Sequence, residues 1–191
     1  MDVEFLEAQA VRRKLRRLMD EHDQFHWAVA WGSHADMTER LLANRAKFRN
    51  VTFGVAFSQT DPDLVAALVG VPHSYVATRF ADGTYHPKVY GFRSGRRVAA
   101  IIGSANFTGG GLGKNLEAAV ALTGTIDDPA LADIIAFART SAGYGRRVTQ
   151  PLRRCLSRQL RSRREAAQGA ARSRTRGTRC GGRRHHGDGL G

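Results

Sequence analysis

The chain has 191 residues and a mass of 20.9 kDa, room for one domain of ordinary size or for a domain and a tail. Hydrophobic residues make up 42%, enough for a core, and no apolar run reaches the ~18–20 residues of a membrane span. The net charge of +13 is concentrated: residues 146–191 hold 14 Arg against Glu165 and Asp188, leaving residues 1–145 close to neutral.

The opening MDVEFLEAQAVRRK is acidic and lacks an apolar h-region, so it does not read as a signal peptide. Cys155 and Cys180 are too few for a disulfide framework, and the cytoplasm is the expected compartment. Val11, Leu15, Leu18 and Met19 have helical spacing and predict an amphipathic helix within the first 20 or so residues. HWAVAWG (26–32) reads as a buried strand, with Trp27 and Trp31 on one face as core or subunit-contact residues. Asp36 and Glu39 have capping-box spacing ahead of a helix over 37–48, and VTFGVAF (51–57) reads as a second strand.

Asp61-Pro62 caps a helix carrying Leu64, Val65, Leu68 and Val69, which Gly70 ends. SYVATRF (74–80) is a third strand. YHPKVYGF (85–92) and RRVAAIIG (96–103) are two more, joined by a two-residue turn at Ser94-Gly95. LEAAVALT (116–123) follows as the sixth. Asp127-Asp128-Pro129 then caps a helix with Leu131, Ile134, Ile135 and Ala138 on its inner face. Strands alternating with helices predict an α/β domain over 1–145. Residues 146–191 contain no aromatic residue. A basic helix over 151–164, with Leu152, Leu156 and Leu160 four apart, is their one ordered prospect. Two readings of this stretch stand side by side: a polyanion-binding Arg/Gly tail, or an out-of-frame, non-native end.

The chemistry lies in His86-Pro87-Lys88, Gly103-Ser104-Ala105-Asn106 and Glu117. On a strand, His86 and Lys88 would face one side about 7 Å apart. A turn at Ser94-Gly95 would set residue 88 opposite 101 and His86 opposite Gly103, bringing Ser104 and Asn106 to the same strand end. The glycine-rich Gly109-Gly110-Gly111-Leu112-Gly113 could present backbone N–H groups to an anion. Imidazole, ammonium, carboxamide, hydroxyl and free amides together suit a phosphate. No carboxylate pair or Cys/His cluster suggests a metal, and no cofactor is expected. Thr108 and Asn115 exclude a P-loop here, and Lys114 excludes a dinucleotide fingerprint.

YHPKVYGF…IIGSANFTGGGLGKNLEAAV resembles the signature of the phospholipase D superfamily: His-x-Lys, then Gly-Ser-x-Asn, then a later Glu. The flavour is nearest the short bacterial nuclease and restriction-endonuclease-like branch, and the match covers roughly 85–123. The resemblance implies one half of that family's α/β/α sandwich, with a mixed sheet flanked by helices. It implies a metal-independent phosphodiesterase, most simply a nuclease acting on DNA. His86 would be the nucleophile that forms a phosphohistidine, or else the general acid. Lys88 and Asn106 would bind non-bridging phosphate oxygens, with Gly103 and Ser104 supporting that site. Glu117 would hydrogen-bond the His86 ring and set its tautomer. The chain departs from the pattern in one place: the family's Asp, five residues after the Lys, is Arg93 here. One His-x-Lys cannot supply both an attacking and a protonating histidine, so a homodimer with a shared site is implied. Two further readings are a catalytically silent phosphate- or DNA-binding module and a soluble phospholipase-type phosphodiesterase.

Overall fold

A computed structural model describes residues 1–78, 80, 83–158 and 162. Its centre is an eight-stranded mixed sheet in the order β1-β7-β6-β5-β2-β3-β4-β8. The strands are β1 (Asp2–Glu7), β2 (Gln24–Val29), β3 (Phe48–Gly54), β4 (Ser74–Ala77), β5 (Lys88–Ser94), β6 (Arg97–Gly103), β7 (Ala118–Thr125) and β8 (Gly145–Arg147). Strands β2, β3 and β4 run parallel, and every other pairing is antiparallel.

The period-2 pattern of β2 explains the layering. Phe25, Trp27 and Val29 enter the main core, while His26 and Ala28 face the other side. The main core receives α1 (Ala8–Glu21) through Val11, Leu15, Leu18 and Met19, α2 (Asp36–Ala43) through Met37 and Leu41, and α3 (Pro62–Ala67) through Leu64 and Val65. The opposite face is covered by α4 (Pro129–Ser141), which sets Leu131 and Ile135 over Val98 and Ala100. Buried Asn50 ties that layer down: its amide donates to the Ala138 carbonyl at 2.6 Å, and its oxygen lies 2.9 Å from His26 Nδ1. The result is the α/β/α sandwich expected from the sequence.

Boundaries moved where local pattern and tertiary pairing compete. The first strand was not anticipated: Val3 and Phe5 alternate as a strand should, yet only Leu6 of β1 is buried. The second strand expected over 51–57 begins at Phe48 and ends at Gly54. Residues 55–60 turn away, with Phe57 and Ser58 both at positive φ. The β5–β6 hairpin turns at Gly95-Arg96 instead of Ser94-Gly95, so Ser94 pairs with Arg97 and Val89 with Ile102. Gly95 supplies the positive φ that the first central position of such a turn demands. Register therefore shifts by two, and Lys88, rather than His86, stands at the level of Gly103.

The fold also continues past Gly145, where the domain boundary was expected. Strand β8 pairs with β4, residues 150–158 form helix α5, and Val148 and Leu156 are buried in the main core. Leu152 packs against that core, whereas Leu160 and the rest of the Arg/Gly stretch lie outside the described residues, apart from Ser162. A chain ending at Gly145 loses the burial of Val148 and Leu156 and the backbone pairing of β8. It should be about 3–6 kcal/mol less stable in urea unfolding than a chain ending at Arg158. Equal stability of the two would show that these contacts contribute nothing.

Candidate active site

Antiparallel pairing brings the chemistry to one sheet edge. Strand β5 begins where β2 ends, β6 ends where β5 begins, and β7 begins where β6 ends. Lys88, Gly103-Ser104 and Glu117 thus meet beside the segment that leaves β2. That segment is pinned in turn: Phe107 N donates to the Trp31 carbonyl and Ser33 N to the Phe107 carbonyl, which aligns 31–33 with the Asn106 loop.

His86 lies just ahead of β5 and is exposed, while Lys88 is its first residue and only 8% exposed. The Lys88 ammonium sits 2.8 Å from both ring nitrogens of His86 and 3.2 Å from its carbonyl oxygen. Trp31 closes the other side: its ring meets His86 edge-on at 4.8 Å between centroids, and the ammonium lies 5.5 Å from the indole centroid. Among the described residues no carboxylate pairs with Lys88. Partial burial lowers the pKa of Lys88, opposed by the field of Glu117. Burial, and then the Lys88 charge, lowers that of His86. Both effects favour the neutral imidazole, whose ring nitrogens face the ammonium.

Asn106 is half-buried, and its Oδ1 has no hydrogen-bond partner. The buried Tyr90 hydroxyl donates to the Ala105 carbonyl at 2.9 Å, holding the backbone just before Asn106. Gly111 presses on it from outside: a Cβ there would lie 2.5 Å from the Asn106 carbonyl oxygen. The glycine-rich loop forms a wide helical turn, Gly110–Lys114, that wraps Asn106, and Gly111 is what permits the close approach. Gly103 has a similar packing role, since a Cβ would meet the Ala118 carbonyl oxygen at 2.3 Å.

Glu117 differs from expectation. Its carboxylate accepts hydrogen bonds from the Ser104 hydroxyl and, at 3.2 Å, from the Asn115 amide; it makes no bond to the His86 ring. Ser104 in turn accepts from Ala118 N at 3.1 Å. Serine and glutamate therefore brace each other and the start of β7, and the contacts to His86 come from Lys88 and Trp31. Arg93 stands at the far end of β5, five residues or about 17 Å of strand from Lys88. Its Nε donates to the Gly95 carbonyl, so the residue in place of the family's Asp belongs to the hairpin turn.

The sequence reading brought His86, Lys88, Ser104, Asn106 and Glu117 to one edge, as found. It missed Trp31 as a wall of the site and Gly111 as the support of Asn106. The signal for Trp31 was its place two residues beyond the end of a strand that neighbours β5. Among the described residues no three His, Cys, Asp or Glu side chains cluster, and no helix is long and apolar enough to cross a membrane.

No protein-family model matches the chain, and no curated protein matches it in sequence. Its fold is that of Nuc from Salmonella typhimurium, a phospholipase D family member, at 17% identity and a TM-score of 0.61 over 78% of this chain and 99% of that one. NucT from Helicobacter pylori is similar at 14% identity and a TM-score of 0.54, over 75% and 97%.

Two outcomes follow from this geometry. NMR titration should place His86 below the ordinary imidazole value of about 6.5. In Lys88→Met the removal of a neighbouring charge should move it upward; an unchanged midpoint would separate the two groups. Gly111→Ala should displace the Asn106 backbone, lower any His86-dependent turnover about 10-fold or more and lower the unfolding midpoint as well, because the clash is with backbone atoms.

Proposed function

We propose, from a chain with the phospholipase D fold, that the protein is a phosphodiesterase that cleaves nucleic acid at His86 through a phosphohistidine. The observation that carries this reading is the Lys88 ammonium: it is buried against His86 and Trp31 without a carboxylate. A desolvated cation with no counter-ion among the described residues is a ready seat for an anion, and an anion that draws the ammonium off the ring leaves the neutral imidazole beside it as the nucleophile. A phosphodiester brings one negative charge and a phosphorus open to attack.

In this mechanism one His86 ring nitrogen attacks phosphorus in line with the leaving oxygen. The N–P bond forms as the P–O bond breaks, and the leaving oxygen takes a proton from a second imidazole, which enters the step as the imidazolium, a charge that the bound phosphodiester anion favours. Lys88 and the Asn106 amide hold the non-bridging oxygens as charge builds on them. Water then attacks the phosphohistidine, giving its proton to the second imidazole, and the N–P bond breaks to restore His86. Ser104 and Glu117 act indirectly by fixing the strand ends that carry the site.

The second imidazole is His86 of another copy. Its own chain offers no further His-x-Lys. Leu116, beside Glu117 at the site, is 99% exposed, so an apolar side chain is available there for a second copy. Nucleic acid is favoured as the substrate by the Arg excess after residue 145.

His86→Ala, Lys88→Ala and Asn106→Ala should each lower turnover of bis(p-nitrophenyl) phosphate at least 10²–10³-fold with the fold intact, in EDTA as in buffer. Near-normal activity in folded Lys88→Ala would overturn the phosphate role. Co-folding equal amounts of wild type and His86→Ala should leave about a quarter of the activity, because only wild-type pairs hold both histidines. Independent sites would leave about half.

A further inference from the structure

The same sheet edge continues past the site over β3, β4 and β8, and it carries aromatic rings there. Strands β2, β3 and β4 are parallel, so their C-terminal ends share this edge; β8 is antiparallel to β4, so its start shares it too. Trp31 follows β2, Phe57 follows β3, Phe80 follows β4, and Tyr144 precedes β8. From β2 to β8 the edge spans three strand spacings, about 14 Å. Trp31 belongs to the site. The other three are 65%, 42% and 50% exposed, and Phe80 meets Tyr144 edge-on at 5.3 Å.

Phe57 is the telling member. It and Ser58 both have positive φ, a conformation that side-chain-bearing residues other than Asn and Asp seldom adopt. The loop is held there from below: Thr60 Oγ1 donates to the Gly54 carbonyl and accepts from Gly32 N at 3.2 Å, and Asp61 N donates to the Gly32 carbonyl. Gly54 itself abuts Tyr85, the residue before His86, leaving no room for a Cβ. A strained loop clasped to the site thus presents a ring to solvent, and burial of that ring does not compensate for the strain.

We propose that Phe57, with Phe80 and Tyr144, forms a stacking platform for unpaired bases, and that the substrate is single-stranded nucleic acid running along this edge into His86 and Lys88. This rests on the phosphodiesterase reading above and narrows its substrate. Each base offers a flat face whatever its identity, so exposed rings spaced along an edge recognise a strand whose bases are unstacked. A duplex keeps its bases inside and offers these rings only phosphate and sugar.

The test uses the full chain at salt high enough to screen the Arg-rich end. Phe57→Asn removes the ring and places a residue that tolerates positive φ, so the loop keeps its shape and thermal stability holds or rises. Affinity for a fluorescent oligo-dT or oligo-U should fall about 5- to 100-fold, the range of one lost stack. Affinity for a duplex of equal length and turnover of bis(p-nitrophenyl) phosphate should stay within about twofold. Phe57→Trp should restore strand binding, and Tyr144→Ala should weaken it as Phe57→Asn does. Unchanged strand affinity in Phe57→Asn, equal loss for duplex, or a ring-dependent affinity for neutral phosphatidylcholine vesicles in its place would overturn the platform. Absence of small-diester turnover in wild type would refute the phosphodiesterase reading instead, while the binding comparison would still decide the platform.

Discussion

The structure turns on an ammonium held out of water. Lys88 opens a central strand, its backbone paired with Val29, so the pairing of β5 with β2 fixes where its side chain starts. The head is boxed by the His86 ring and the Trp31 indole. A buried cation without a carboxylate costs stability, and only a rigid surround keeps the side chain from swinging out to solvent. That surround lies directly beneath: Phe25, Trp27, Tyr90 and Phe92 pack ring against ring, with Trp27 and Tyr90 at 5.1 Å and Phe25 and Phe92 at 5.2 Å. The aromatic core under β2 and β5 is thus the support on which the desolvated site rests, and the depressed basicity of His86 and Lys88 is its electrostatic consequence.

Arg93 and Glu117, the two residues that differ from expectation, have different weight once placed in space. Arg93 occupies the far end of β5, where it fastens the hairpin turn, so exchanging an acid for a base there alters no group within reach of His86. Glu117 is at the site, and its partners matter. Bonded to Ser104 and Asn115, its carboxylate steadies the entry to β7 and raises the proton affinity of Lys88 through space. His86 accordingly owes its orientation here to an ammonium and an aromatic ring.

The motif was legible because it is local: His86 to Glu117 spans two hairpins, and hairpins translate sequence distance into spatial distance by rule. Within that span two details failed, the bond from Glu117 to the His86 ring and the turn. Ser94-Gly95 and Gly95-Arg96 are both admissible turns on paper, and the choice between them depends on Asp23, whose N–H and carboxylate both engage the Ser94 hydroxyl from a segment about 70 residues away. Other misses share that cause. Strands β1 and β8 are edge strands of six and three residues, with Leu6 the one buried residue of β1 and none buried in β8, and backbone pairing rather than apolar burial defines them. Trp31 reads as a core residue next to Trp27 because both continue one alternation. The chain, however, leaves the strand after Val29, and four residues separate a buried ring from one that borders the site.

Sheet topology explains how so small a domain can hold the His86 cluster and a row of exposed rings on one rim. Strand β2 sits at the junction between a parallel block, β2-β3-β4, and an antiparallel block, β5-β6-β7-β1. In the antiparallel block, hairpins return short motif segments to the rim, which suits groups that need fixed mutual geometry. In the parallel block each strand must be followed by a crossover, so its rim holds loops that are free to vary in length and content. His86, Lys88, Ser104, Asn106 and Glu117 gather on the first side and the exposed rings of Phe57 and Phe80 on the second, with Trp31 at the junction touching both His86 and Lys88. Change in the loops over β3 and β4 can therefore alter this rim without moving Lys88, because the pairing that fixes Lys88 runs through β2 and β6.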